Sequence, residues 1–202
     1  MKFIFLTGPH ASGKTYTTKK AISDNNINNV SIIDTGPIMR QIHKEKSPNT
    51  SMGEWVNLLQ QQYGQDITSE LISSEIEKRI TNDNNDVVIV IGFRTIRGIL
   101  YTVERLGIED YKILYVDASF DLLYKNFVAR TNKQISKEEF YEYLMDEQRS
   151  GLSSIRAMAV MGNEGIDYYY RESNEDDLDK YIISYINKAK VKELKWMIIN
   201  GQ

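Results

Sequence analysis

The sequence predicts a three-layer α/β fold, with a mostly parallel five-stranded sheet covered by helices on both faces. Three observations lead there. Short β-rich apolar runs take turns with helical patterns along the chain, which implies right-handed crossovers and a parallel sheet. Residues 87–91, Val-Val-Ile-Val-Ile, are apolar throughout, as a strand buried on both faces must be. A glycine-rich loop stands directly between the first strand and the first helix.

The elements follow in order. Residues 3–6 read as a buried strand that runs at once into the glycine loop and a helix over about residues 14–23. Residues 30–33 form a second strand ending in Asp34-Thr35-Gly36. A helical region over residues 37–81 is broken near Ser47-Pro48-Asn49 and at Gly64, and the polar cluster at 82–86 is a loop. Residues 87–91 are the third strand, 112–116 the fourth and 166–170 a weaker fifth; a helix follows over 178–188. Ligands of such sheets sit outside the carboxyl ends of the strands. Here that edge carries Thr7-Gly8, Asp34-Thr35, Gly92-Phe93 and Asp117.

With 202 residues, 41% hydrophobic and 26% charged, the chain suits one soluble domain that buries its own core. A net charge of -3 with acids and bases interspersed argues against a broad nucleic-acid surface. The absence of cysteine excludes disulfides and thiolate metal sites. The apolar opening at residues 1–6 is too short for a signal-peptide core, and no stretch approaches the ~20 apolar residues that span a bilayer. The expected location is cytoplasmic, with no membrane partner.

Gly8-Pro9-His10-Ala11-Ser12-Gly13-Lys14-Thr15 matches G-x-x-x-x-G-K-[ST] in full. Glycines let the backbone curl until successive N–H groups point at phosphate oxygens, and the following helix adds its positive end. Lys14 is expected at the β- and γ-phosphates of a nucleoside triphosphate and Thr15 at Mg²⁺, with Thr17 also facing the nucleotide. His10 reads as a solvent-facing loop residue, a catalytic role being the alternative. ATP and Mg²⁺ are the expected cofactors.

Asp34-Thr35-Gly36-Pro37-Ile38-Met39-Arg40 resembles the Thr-Gly-x-x-x-Arg segment that opens the monophosphate-binding region of adenylate and cytidylate kinases. Gly92-Phe93-Arg94-Thr95 resembles their Gly-Phe-Pro-Arg segment with the proline deleted, and Arg130 falls where they place the first lid arginine. Asp146-Glu147-Gln148, Ile166-Asp167-Tyr168 and Glu172-Ser173 resemble the C-terminal half of dephospho-CoA kinases and related nucleotide kinases. The resemblance implies a single P-loop kinase domain over 1–202 with strand order 2-3-1-4-5, an acceptor-binding helical region at about 36–81 and a lid at about 130–150. It implies catalytic roles for Lys14, Arg94 and Arg130, and acceptor contacts from Asp34, Thr35, Gly36, Arg40, Arg94 and Arg149. Lys133 is a further lid candidate. Capping the next helix is the alternative for Asp34. Trp55 and Tyr63 would stack on a base or, as the alternative, serve the core or an interface. The implied activity moves the γ-phosphoryl group of ATP to a (deoxy)nucleoside monophosphate or to dephospho-CoA, by a monomer or homodimer.

One departure stands out. The resembled kinases carry an acid before the third-strand glycine, where this chain has Val90-Ile91-Gly92. Asp34 and Asp117 end neighbouring strands, and Asp117 is the preferred substitute beside Mg²⁺. The same departure motivates an alternative, a nucleotide-dependent regulatory module. From Lys188 on, four lysines precede Trp196-Met197-Ile198-Ile199, a tail read as packing back on the domain or on a second copy, with contact to a membrane or partner as the alternative.

Overall fold

A computed structural model describes residues 1–81, 85–132 and 134–187. Its five strands are β1 (Lys2–Thr7), β2 (Val30–Asp34), β3 (Val87–Ile91), β4 (Tyr111–Ala118) and β5 (Ile166–Arg171). All pair in parallel in the order β2-β3-β1-β4-β5, so the expected α/β fold, its parallel sheet and its strand order are present.

Side chains alternate across a strand, and here both faces are covered. Phe3, Phe5, Val88, Val90, Ile113 and Tyr115 face one core, which includes Ile72 and Ile76 of α4 (Ile67–Ile80), Ile99 of α5 (Ile96–Arg105) and Ile155 of α8 (Ser153–Val160). Their neighbours Ile4, Leu6, Ile89, Ile91, Leu114 and Val116 face the other, against Leu178, Ile182 and Tyr185 of α9 (Leu178–Asn187). Burying each such Ile, Leu or Val side chain favours folding by roughly 1.5–3 kcal/mol.

α1 (Lys14–Asp24) follows the glycine loop. α2 (Thr35–Lys46) starts at once after β2, because Asp34 caps it through the Gly36 amide at 3.0 Å. α3 (Met52–Tyr63) opens with a capping box, Ser51 paired with Glu54, and ends at Gly64 with φ 93°. Together with α4 these helices fill the region expected to bind an acceptor. Trp55 is buried there against His43, ring centroids 5.2 Å apart, which favours the core role for it, while Tyr63 is exposed.

After β4 come α6 (Phe120–Thr131) and α7 (Lys137–Glu147). Phe120, Tyr124 and Phe127 of α6 pack on Phe140 and Tyr143 of α7, so α7, the helix within the expected lid, stands on an aromatic cluster shared with α6. A five-residue π-turn, Gln148–Leu152, then joins α7 to α8. Gly151 in it has φ 120°, and a Cβ there would lie 2.6 Å from Thr95 Cγ2 and 3.0 Å from the Arg94 carbonyl oxygen. Only glycine lets this turn press on the end of β3, which carries the last residues of α7 to the sheet edge. Among the described residues no helix is long and apolar enough to cross a membrane.

Candidate functional site

The site lies at the carboxyl ends of β1, β2 and β3. Thr7 Oγ1 donates to the Phe93 carbonyl at 2.6 Å, and the Gly92 amide donates to the Leu6 carbonyl at 3.0 Å, fastening the ends of β1 and β3 together. The chain then turns sharply at Gly8, φ 129°, where a Cβ would sit 2.1 Å from the Val116 carbonyl oxygen of β4. Ala11 at φ 62° and Gly13 at φ 85° continue the curl. Gly13 is also pressed from outside, since its Cβ would meet Arg171 Nη1 at 2.0 Å.

Arg171, at the end of β5, is almost fully buried and paired with Asp176 at 2.5 Å. Its Nη1 donates to the Ser12 carbonyl at 2.7 Å. Asn126 of α6 donates to the Ala11 carbonyl at 3.0 Å and is itself bonded to Asn174. Carbonyls on the outside of the loop are thereby held from β5 and α6. The sequence reading passed over Arg171, Asn126 and Asn174. The only signal for them was an arginine and two asparagines next to expected loops.

Inside the loop, the Lys14 ammonium donates to the carbonyls of Gly8 at 2.9 Å and Pro9 at 2.7 Å, and to Ser12 Oγ at 2.9 Å. Burial lowers its pKa to about 8; the carboxylates of Glu147 and Asp34 oppose that, and the cations Arg94 and Arg130 reinforce it. Those four residues therefore lie within electrostatic reach of Lys14. Of the expected trio, Lys14 and Arg94 both neighbour Glu147, while Arg130 acts on Lys14 only through its charge. Thr17 is buried one turn along α1, its amide bonded to the Gly13 carbonyl at 2.9 Å.

Asp34 divides its two oxygens. Oδ1 caps α2, while Oδ2 accepts the Thr15 hydroxyl at 3.1 Å. The capping reading of Asp34 thus has its counterpart, and the second oxygen stands at Thr15, the residue expected beside Mg²⁺. Asp117, the preferred acid for the metal, is occupied elsewhere. It accepts from Arg156 Nε at 2.6 Å, from the Tyr168 hydroxyl at 2.9 Å and from the Ala118 amide at 2.9 Å. The carboxylate that the structure brings to Thr15 is Asp34 and not Asp117, because α8 arrives beside β4 and supplies Asp117 with a guanidinium. Gly92 makes room for this corner, since a Cβ there would meet the Thr35 hydroxyl at 2.7 Å.

Arg40 is exposed and forms no ion pair among the described residues; its guanidinium lies over Gly36, 3.3 Å from where a Cβ would stand. Arg130 is likewise exposed and without an ion pair among the described residues. Arg149 is paired with Asp146 at 2.9 Å on the surface, three residues apart. Lys133 and the lysine-rich tail lie outside the described residues.

Arg94 reaches across the mouth to Glu147 at 2.9 Å. Glu147, the last residue of α7, is almost fully buried and accepts the His10 amide at 2.8 Å. A second contact joins Glu147 Oε1 to His10 Nδ1. The site therefore gathers a curled backbone, the cations Lys14 and Arg94 and the acids Asp34 and Glu147 at one sheet edge. Such a place favours a bound anion bearing a divalent cation.

The curl at Gly8, Ala11 and Gly13 and the Thr15–Asp34 hydrogen bond are the parts of the site that would meet a triphosphate with Mg²⁺. Among the described residues no cluster of three or more His, Asp or Glu side chains is placed to hold a metal alone. Phosphate oxygens would have to complete the shell, as hard cations at such loops require.

Compared with models of known protein families and with curated proteins, the chain matches none.

Proposed function

We propose that this chain is an ATP-dependent kinase that passes the γ-phosphoryl group to a small nucleotide-like acceptor, a (deoxy)nucleoside monophosphate or dephospho-CoA. The observation that carries the reading is a glycine loop that buries Lys14, with the Thr15 hydroxyl bonded to Asp34 and Arg94 held across its mouth by Glu147. Phosphoryl transfer is catalysed mainly by positioning and by balancing charge on the transferring group. The loop amides and Lys14 would hold the triphosphate, and Arg94 and Arg130 would balance the charge that develops as the acceptor attacks. Thr15 would ligate Mg²⁺, with Asp34 behind it through the shared hydrogen bond. The ion's part is to neutralise the bridged phosphate oxygens. Arg40 is free to reach the acceptor from α2. Cytoplasmic action as a monomer or homodimer, with neither nucleic acid nor membrane as partner, goes with this reading.

Incubation with γ-labelled ATP and a panel of monophosphates, dephospho-CoA and other small hydroxyl compounds tests the proposal. Label on one acceptor supports it, and label on none argues decisively against it.

A second reading, a nucleotide-dependent binding module, is favoured by the buried Ile91 that stands at the end of β3 where the resembled kinases have an acid. Lys14→Ala separates the two. A kinase loses turnover by orders of magnitude, whereas a module keeps a partner that it retains in its nucleotide-bound form.

A further inference from the structure

Glu147 and the ring of His10 stand in the mouth of this site without a part in the reading above. The Glu147 side chain is only 2% exposed, yet it faces the loop and not the core. Oε2 accepts the His10 amide at 2.8 Å. Oε1 is shared by His10 Nδ1 and by Arg94 Nη2 at 2.9 Å, with the Tyr143 hydroxyl at 3.5 Å. Burial raises the pKa of Glu147, but the ring and amide of His10 and the guanidinium of Arg94 outweigh it and leave the group below its ordinary value. Arg94 Nη2 also stands 3.1 Å from Nδ1, but a guanidinium only donates and has Glu147 Oε1 as its nearer acceptor at 2.9 Å; the ionised carboxylate only accepts, so Nδ1 carries the hydrogen that meets it. The lone pair of His10 is then on Nε2. That atom has no hydrogen-bond partner among the described residues, and the side chain is 33% exposed.

A carboxylate that fixes one imidazole nitrogen and leaves the other outward is the arrangement of a general base. The charged groups facing the ring are Glu147 from α7 and Arg94 from the end of β3, with Tyr143 edge-on, ring centroids 5.7 Å apart. The same carboxylate offsets the charge with which Arg94 would clamp an anionic acceptor. A phosphate acceptor needs no base, because it is already largely ionised near neutral pH. A hydroxyl acceptor has a proton to lose.

We propose that His10, aligned by Glu147, removes the proton of the acceptor, and that the acceptor group is an alcohol hydroxyl and not the phosphate of a monophosphate. This rests on the kinase reading. The acceptor oxygen bonds to the γ-phosphorus while the bond from that phosphorus to the bridging oxygen breaks. ADP leaves with the electron pair, and the hydroxyl proton passes to His10 Nε2. Glu147 stabilises the resulting imidazolium until the proton is released to water. His10 is thus a catalytic residue, and Glu147 a positioning one.

The experiment combines calorimetry of Mg-ATP with phosphorus NMR of the products formed from nucleosides, dephospho-CoA and nucleoside monophosphates. The expected product is a phosphate ester on a hydroxyl. His10→Gln lowers kcat roughly 10²- to 10⁴-fold while ATP affinity is maintained, and added imidazole restores part of the activity of His10→Ala. Glu147→Gln lowers kcat while KM for ATP is unchanged, and Glu147→Asp recovers part of the loss, which a merely structural role would not do. A phosphoanhydride product, or wild-type kcat in His10→Gln, overturns this inference and leaves the kinase reading standing. ATP binding without transfer to any acceptor overturns this inference together with the kinase reading, and so does an absence of ATP binding.

Discussion

Arg171 Nη1 donates to the Ser12 carbonyl at 2.7 Å, so the end of β5 holds the phosphate-type loop from behind. The guanidinium is buried and its charge is met by Asp176. Removing one partner of a buried pair leaves the other charge without compensation. Arg171→Met should lower unfolding free energy by about 3 kcal/mol in urea titration. It should also weaken triphosphate binding, because the loop loses the contact that holds Ser12 and Gly13 in place.

Gly13→Ala meets the same guanidinium at 2.0 Å and must hold φ 85° with a side chain. A left-handed non-glycine residue costs about 1–2 kcal/mol before the clash is added. Thermal unfolding should fall by several degrees, and the loss should shrink when Arg171→Met is present in the same chain.

Asp34→Asn and Asp117→Asn should separate function from stability. Asparagine still caps α2 through its oxygen, so Asp34→Asn should unfold close to wild type while Mg²⁺-dependent turnover collapses. Asp117→Asn leaves Arg156 and Tyr168 poorly matched and should destabilise by about 1–3 kcal/mol. Its Mg²⁺ dependence should be unchanged. The checks are a melting curve and a Mg²⁺ titration of activity for each variant.

Lys14 gives a pH dependence whose sign follows from its folded pKa of about 8. The unfolded chain holds this proton up to about 10.4, so between those values the unfolded state binds more protons and stability rises with pH. Triphosphate binding has the opposite slope, since the ammonium is the form that meets phosphate. ATP affinity should fall as pH rises above about 8, with one proton taken up on binding. Calorimetry in buffers of differing ionisation enthalpy reads that proton, and Lys14→Met should abolish it.

Glu147 acts in the acid range. Its folded pKa lies below the ordinary 4.5, so the stability it contributes is present above that value and is lost as pH falls through the folded pKa. Glu147→Gln should flatten the acid end of the stability curve, as read by denaturant midpoints between about pH 5 and 3.

The fold and the loop were legible because both are written locally. Alternating runs such as 3–6 and 87–91 carry their own burial pattern, and the glycines of the loop stand where φ must be positive. The partners of the site were harder to read. Asp34 and Asp117 look alike as strand-ending acids, and only the approach of Arg156 on α8 decides which one is engaged. Glu147 sits in an ordinary amphipathic helix, and its burial depends on the turn at Gly151 pressing on Thr95. Arg171 ends a tyrosine-rich edge strand, where nothing local announces a buried guanidinium. Each of these is a tertiary consequence, set by which helix packs beside which strand.

The central claim is that the loop from Gly8 to Thr15 holds a polyphosphate with Lys14 at its outer end. Titration of Mg-ATP into the wild-type chain and into Lys14→Ala by calorimetry tests it most directly. The account predicts saturable one-site heat for the wild type and a loss of at least about tenfold in affinity, or 1.4 kcal/mol, for the variant. Absence of heat with both ATP and GTP, or equal affinity in the two chains, would contradict it.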